Sequence, residues 1–230
     1  MIPLRDENPS STTPVVTRLL IVVNAAIFVY EIMLGPTLKM FAMEWGLVPA
    51  RLTMALRYHE EPVLGPSLTM LSSMFLHGGW MHLIGNMWFL WIFGDNVEDR
   101  FGHVRYLLFY LASGVVAAIV QYATNPVSDV PTLGASGAIA GVLGAYAVAF
   151  PRARVITLIP IFIFIQIVRL PALLVLGFWF VIQFFSGTLA LAANVSGGIA
   201  FWAHIGGFAF GAITMLVLGG GGRAHPAAWE

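Results

Sequence analysis

Two short motifs in this chain offer a nucleophile and a base. Gly134-Ala135-Ser136-Gly137 opens one apolar stretch, and Ala203-His204-Ile205-Gly206-Gly207 lies inside a later one. A serine hydroxyl is a poor nucleophile until a base takes its proton, and a neutral imidazole is such a base. Placed at a helix start, Ser136 would have free backbone N–H groups and the positive end of the helix beside it. Both stabilise a developing oxyanion. Gly137 would let a substrate carbonyl approach.

A third segment, His77-Gly78-Gly79-Trp80-Met81-His82-Leu83-Ile84-Gly85-Asn86, supplies further donors. His82 and Asn86 are four apart and share one helical face. An Asn amide is neutral and donates without a change of protonation state, and His82 can donate beside it. Removing one such donor typically costs about 10²–10³ in turnover. No Asp or Glu lies near the serine or histidine motif, so the residues predict a Ser–His dyad without an acidic third member.

Each feature also has a plainer reading. Ser136, Gly137, Gly141 and Gly144 form a small-residue packing stripe, and Gly207 and Gly211 repeat the GxxxG spacing. A lone membrane histidine can be a structural hydrogen-bonder, a metal ligand or a proton relay. His77 fits a histidine at the membrane surface as well as a catalytic one. His82 and Asn86 could simply bond neighbouring helices. Taken singly these readings are favoured; the four residues Ser136, His204, His82 and Asn86 together favour chemistry.

The elements that must position these groups lie in lipid. The chain has 230 residues, of which 59% are hydrophobic and 10% charged, where soluble domains carry about a quarter charged residues. The absence of cysteine excludes disulfides and thiol catalysis. A net charge of zero gives no basic field for nucleic acid. Six segments are apolar enough to span: Leu19–Leu34, Leu68–Phe93, Tyr106–Thr124, Ser136–Phe150, Pro171–Leu189 and Ile199–Leu218. The fourth is short and should start below the membrane surface. Met1 to Thr12 reads as a disordered tail, and Gly35–Ser67 as short interfacial helices. Pro151–Leu170 carries Arg152, Arg154, Pro160, Gln166 and Arg169, and reads as an interfacial or partly strand-like loop. The expected organisation is a tail over 1–16, a six-helix domain over 17–218 and a short tail over 219–230.

Orientation follows from charge. With a cytoplasmic N-terminus, Arg5, Arg18, Arg100, Arg105, Arg152, Arg154, Arg169 and Arg223 fall inside, against Lys39, Arg51 and Arg57 outside. That asymmetry obeys the positive-inside rule and puts both termini in the cytoplasm. Ser136 and His204 then lie on helices that descend from the outer face.

The set HGGWMHLIGN, GASG and AHIGG, in this order and on these spans, resembles the rhomboid intramembrane serine proteases from about Leu19 to Leu218. The resemblance implies an all-α polytopic membrane protein, a six-transmembrane-helix bundle with a short central serine helix. It implies Ser136 as nucleophile and His204 as general base. Asn86, His82 and the Ser136 N–H would build the oxyanion hole, with Gly134 and Gly137 keeping the serine turn open. Glu98 matches an acid that ties the second span to its neighbours. One departure is visible: some bacterial rhomboids carry a tyrosine one turn after the serine, where this chain has Ala140. The histidine's support must come from elsewhere.

The expected activity is endopeptidase cleavage of single-pass transmembrane proteins near their outer end, with no cofactor, metal or nucleic acid, in a prokaryotic plasma membrane. Substrates with helix-weakening residues should be preferred. Trp179, Phe180, Phe184 and Phe185 would form a lateral gate against Trp88 and Phe89. The rivals are a non-proteolytic chaperone for transmembrane helices and a small transporter using His82, Asn86, His204 and Glu31. No half-to-half similarity supports a transporter. HExxH and a pair of membrane-depth aspartates are both absent, which excludes the other intramembrane protease classes.

Overall fold

Fourteen residues with almost no polar side chain form the axis of the molecule. Helix α7, Ser136–Ala149, is buried at every position from Gly137 to Ala147. A helix apolar all round belongs in a protein core or a membrane, and the burial of this one shows that other helices enclose it. The computed structural model describes residues 1–161, 164–193 and 200–218. Around α7 stand α5 (Trp80–Phe101), α6 (His103–Thr124), α8 (Ala172–Ala192) and α9 (Phe201–Leu218), while α1 (Val15–Met33) packs on α5 and α6. Helices α1, α6, α8 and α9 are long and apolar enough to cross a membrane, and α7 is a shorter apolar helix. Ile199 and residues 219–230, the expected start of the sixth span and the tail, lie outside the described residues.

Small residues decide the closest helix pair. A Cβ built on Gly144 would meet the backbone of Phe208 and lie 3.0 Å from Ala212 N. Built on Gly207 or Gly211, it would collide with Gly137 or Gly141. Helices α7 and α9 therefore touch backbone to backbone along two small-residue stripes. Gly141 also admits Ser113 of α6. The packing reading of these glycines is correct, and it is what brings the serine helix against the histidine helix.

Three expectations need correction. The second span is not one helix from Leu68 to Phe93. The segments α2 (Leu38–Trp45), α3 (Pro49–Tyr58) and α4 (Leu64–Ser72) precede it, then a 3-10 turn over Ser73–Phe75. Gly78 and Gly79 break the chain before α5 starts at Trp80 and runs on to Phe101. The fold is also not all-α. Strands β1 (Ile2–Asp6), β2 (Arg154–Ile161) and β3 (Phe164–Pro171) form an antiparallel sheet in the order β1-β2-β3. Finally, the first residues are not a disordered tail, because β1 pairs Ile2 with Leu158 and Asp6 with Val155.

The N-terminal segment also runs along α5. Trp88 Nε1 donates to Pro3 O at 2.7 Å, Asn8 donates to Asn96 Oδ1 at 2.9 Å, and Ser11 and Thr12 donate to Asp99. The start of α1 is held by Glu98, whose carboxylate accepts from Val16 N at 2.9 Å and from Thr17 N and Oγ1, both at 2.7 Å. A carboxylate at a helix N-terminus meets unsatisfied N–H groups and the positive helix end. Glu98 does tie its helix to a neighbour, as the resemblance implied.

Candidate active site

Ser136 is the first residue of α7, so the N–H groups of its turn have no partner four residues back within the helix. The turn before it depends on Gly134, whose φ of +122° lies where side-chain-bearing residues rarely go. Gly134 N donates to Ser73 O at 2.9 Å, which fixes that turn to the segment leading into α5. On α9, buried His204 brings Nε2 to 2.8 Å from Ser136 Oγ. A serine hydroxyl that donates to an imidazole nitrogen can pass its proton there as it attacks a carbonyl.

The two donor residues of α5 converge on the same turn. A Cβ built on Gly134 would lie 2.6 Å from His82 Nε2 and 3.6 Å from Asn86 Nδ2. Gly78 N donates to His82 Nδ1 at 3.4 Å, which leaves the proton on Nε2, the nitrogen that faces Gly134. Asn86, buried, donates through Nδ2 to His77 Nε2 at 3.0 Å. An amide nitrogen carries two hydrogens, so one is left for the cavity. His77 is buried at 3% exposure, and its backbone N–H donates to Glu31. It positions Asn86 from behind and does not line the cavity.

These groups surround a cavity of about 540 Å³, lined by His82, Asn86, Ser136, Ala140, Trp179 and His204 among others. One wall comes from α5 through Met81, Gly85 and Phe89, and another from α8 through Gly187, Ala190 and Leu191. Among the described residues no group of three His, Cys, Asp or Glu could hold a metal ion.

Sequence reasoning missed the far side of His204. Its Nδ1 lies 2.7 Å from Gln183 Oε1 on α8. The ring of Trp179 packs on the imidazole, with centroids 5.6 Å apart and planes at 37°. Gln183 is the single amide between Ala172 and Ala192, and a polar side chain within an apolar span was the signal available. Trp179 and Phe180 turn inward, onto His204 and Phe208, whereas Phe184 and Phe185 are exposed. Gln121 of α6 accepts from Ala203 N at 3.2 Å and so secures the first turn of α9.

Known proteins resemble this chain in sequence. The family model of the Rhomboid domain matches residues 65–221. Presenilin-associated rhomboid-like protein A, mitochondrial, of Danio rerio is 31% identical over 153 residues, covering 63% of this chain and 36% of the relative. RHOMBOID-like protein 5 of Arabidopsis thaliana is 34% identical over 119 residues, 50% of this chain and 34% of the relative. The putative rhomboid protease YdcA of Bacillus subtilis is 38% identical over 77 residues, 34% of this chain and 38% of the relative. The matches span little more than a third of those relatives' lengths. Its matched domain covers more than half of the sequence, and the chain belongs to the rhomboid family.

Proposed function

We propose that this protein is an intramembrane serine endopeptidase that cleaves single-pass transmembrane proteins near their outer end. The observation that carries the reading is the 2.8 Å contact between Ser136 Oγ and His204 Nε2 in a cavity faced by two further donors. Ser136 attacks the scissile carbonyl while His204 takes its proton. The negative oxygen that forms is held by Asn86 Nδ2, His82 Nε2 and the Ser136 N–H. His204 then returns the proton to the leaving amine, the peptide departs, and water hydrolyses the acyl-enzyme by the same route in reverse. Membership in a family whose relatives include a putative rhomboid protease supports this reading.

In this reading α1, α5, α6, α7, α8 and α9 are six membrane segments with both termini cytoplasmic, in a prokaryotic plasma membrane. A substrate segment arrives from lipid between α5 and α8, whose residues line facing walls of the cavity. It must unwind, because helical peptide bonds are hydrogen-bonded internally. Wild type reconstituted in liposomes should cleave a model transmembrane segment carrying Gly and Pro near its outer end, and Ser136→Ala should leave it intact. Binding of the segment by both proteins without cleavage would replace the protease with a helix chaperone.

A further inference from the structure

The proposed nucleophile uses only one nitrogen of His204. The other faces Gln183, which is 9% exposed and holds Oε1 at 2.7 Å from Nδ1. Trp179 lies one turn earlier on the same helical face, with its ring against the imidazole. We infer that Gln183 is a positioning residue that sets the tautomer of His204, a neutral amide standing where a three-membered catalytic set has a carboxylate. The inference rests on the Ser136–His204 reading above.

A neutral imidazole carries one N–H and one lone pair. To accept the Ser136 proton the lone pair must sit on Nε2, so the hydrogen must sit on Nδ1. A buried N–H without an acceptor costs about 1–3 kcal/mol. With its Oε1 turned to Nδ1, Gln183 removes that cost for the productive tautomer. The other tautomer would put an Nε2–H against the serine hydroxyl and, with the amide oriented as it stands, the Nδ1 lone pair against the amide oxygen. The base would be lost and two acceptors would oppose each other. An amide does this without adding a charge to a water-poor site, where an unneutralised carboxylate is expensive to desolvate.

The source of the support also accounts for Ala140. That residue is fully buried and lines the cavity, so the serine helix offers no aromatic face to the histidine. Trp179 supplies one from α8. Ring packing and tautomer selection therefore come from a single helix, at positions four residues apart.

The test uses the full chain labelled with 15N-histidine. The ring signals of His204 are identified by their loss in His204→Gln. Wild type should show a protonated Nδ1 and an unprotonated Nε2. Gln183→Glu keeps a carboxyl oxygen able to accept from Nδ1–H, so it should retain that pattern and react with a fluorophosphonate probe within about tenfold of wild type. Gln183→Met removes the acceptor at similar size; its His204 should show mixed tautomers, with labelling slowed about 10²-fold, the lower end of what a positioned base supplies. Should the Met variant fail to fold, Gln183→Asn, which withdraws the amide by one methylene, is read the same way. A single Nδ1–H tautomer with labelling within threefold of wild type in folded Gln183→Met or Gln183→Asn overturns the inference. So does a tautomer mixture in Gln183→Glu. The dyad reading fails separately, through a wild type that does not label at all.

Discussion

Gly134 meets two constraints at once. Its φ of +122° is costly for any residue with a side chain, and a Cβ there would come within 2.6 Å of His82 Nε2. Gly134→Ala should therefore add strain of about 1–3 kcal/mol and push His82 off the serine turn. A lowered melting temperature together with slower probe labelling is the expected result. A variant with unchanged melting and labelling would mean that the turn does not need this glycine. At this scale the sequence was informative because lipid makes polar side chains rare. Ser136, His204, His82 and Asn86 stood out against apolar neighbours, and the structure gathers them around one cavity. Gln183 was overlooked because an isolated amide has no motif: its meaning comes from a contact 21 residues along the chain, on another helix.

At the scale of elements, the glycine stripes on α7 and α9 fix where the two helices touch, and hence where Ser136 and His204 meet. Their spacing could be read directly. The partly strand-like reading of Pro151–Leu170 matches β2 and β3, but β1 could not be read, because it pairs with residues about 150 positions away and its five residues show no clean alternation. Pro151–Leu170 carried the strand signal only in its Ile- and Phe-rich run. What joins this sheet to the bundle is Tyr146 of α7, whose hydroxyl donates to Asp6 Oδ2 at 2.6 Å. Burial raises the Asp6 carboxyl to about 7, against the lowering pull of the Tyr146 hydrogen bond, and the nearby Asp95 adds to the rise. The sign follows from proton binding. Between the ordinary carboxylate range near 4 and about 7, the folded protein keeps a proton that the unfolded chain has released. Stability from this group is thus fully present below about 4 and lost as pH rises through 7. Asp6→Asn should remove that dependence, so its melting temperature should gain on wild type steadily from pH 5 to pH 7.5. A constant difference across that range would contradict the assignment.

The molecule as a whole is an enclosed apolar helix with polar chemistry at one end and a small sheet near the other. Hydropathy made most of the long helices legible, since about 20 apolar residues are needed to cross a bilayer core. The start of α5 was misjudged because Leu68–Phe75 is as apolar as a span, and the turn at Gly78 and Gly79 breaks it. Glu98 shows why a buried acid in such a fold need not be catalytic: its oxygens are taken up by the first turn of α1 and by His103 Nδ1 at 2.6 Å. Ser136 differs in facing a cavity with a base behind it. The central claim is that His204 activates Ser136. Purified protein treated with a fluorophosphonate probe tests it most directly, beside folded Ser136→Ala and His204→Ala. The account predicts labelling of wild type that is lost in both variants. Unlabelled wild type, or labelling that survives in Ser136→Ala, would contradict it.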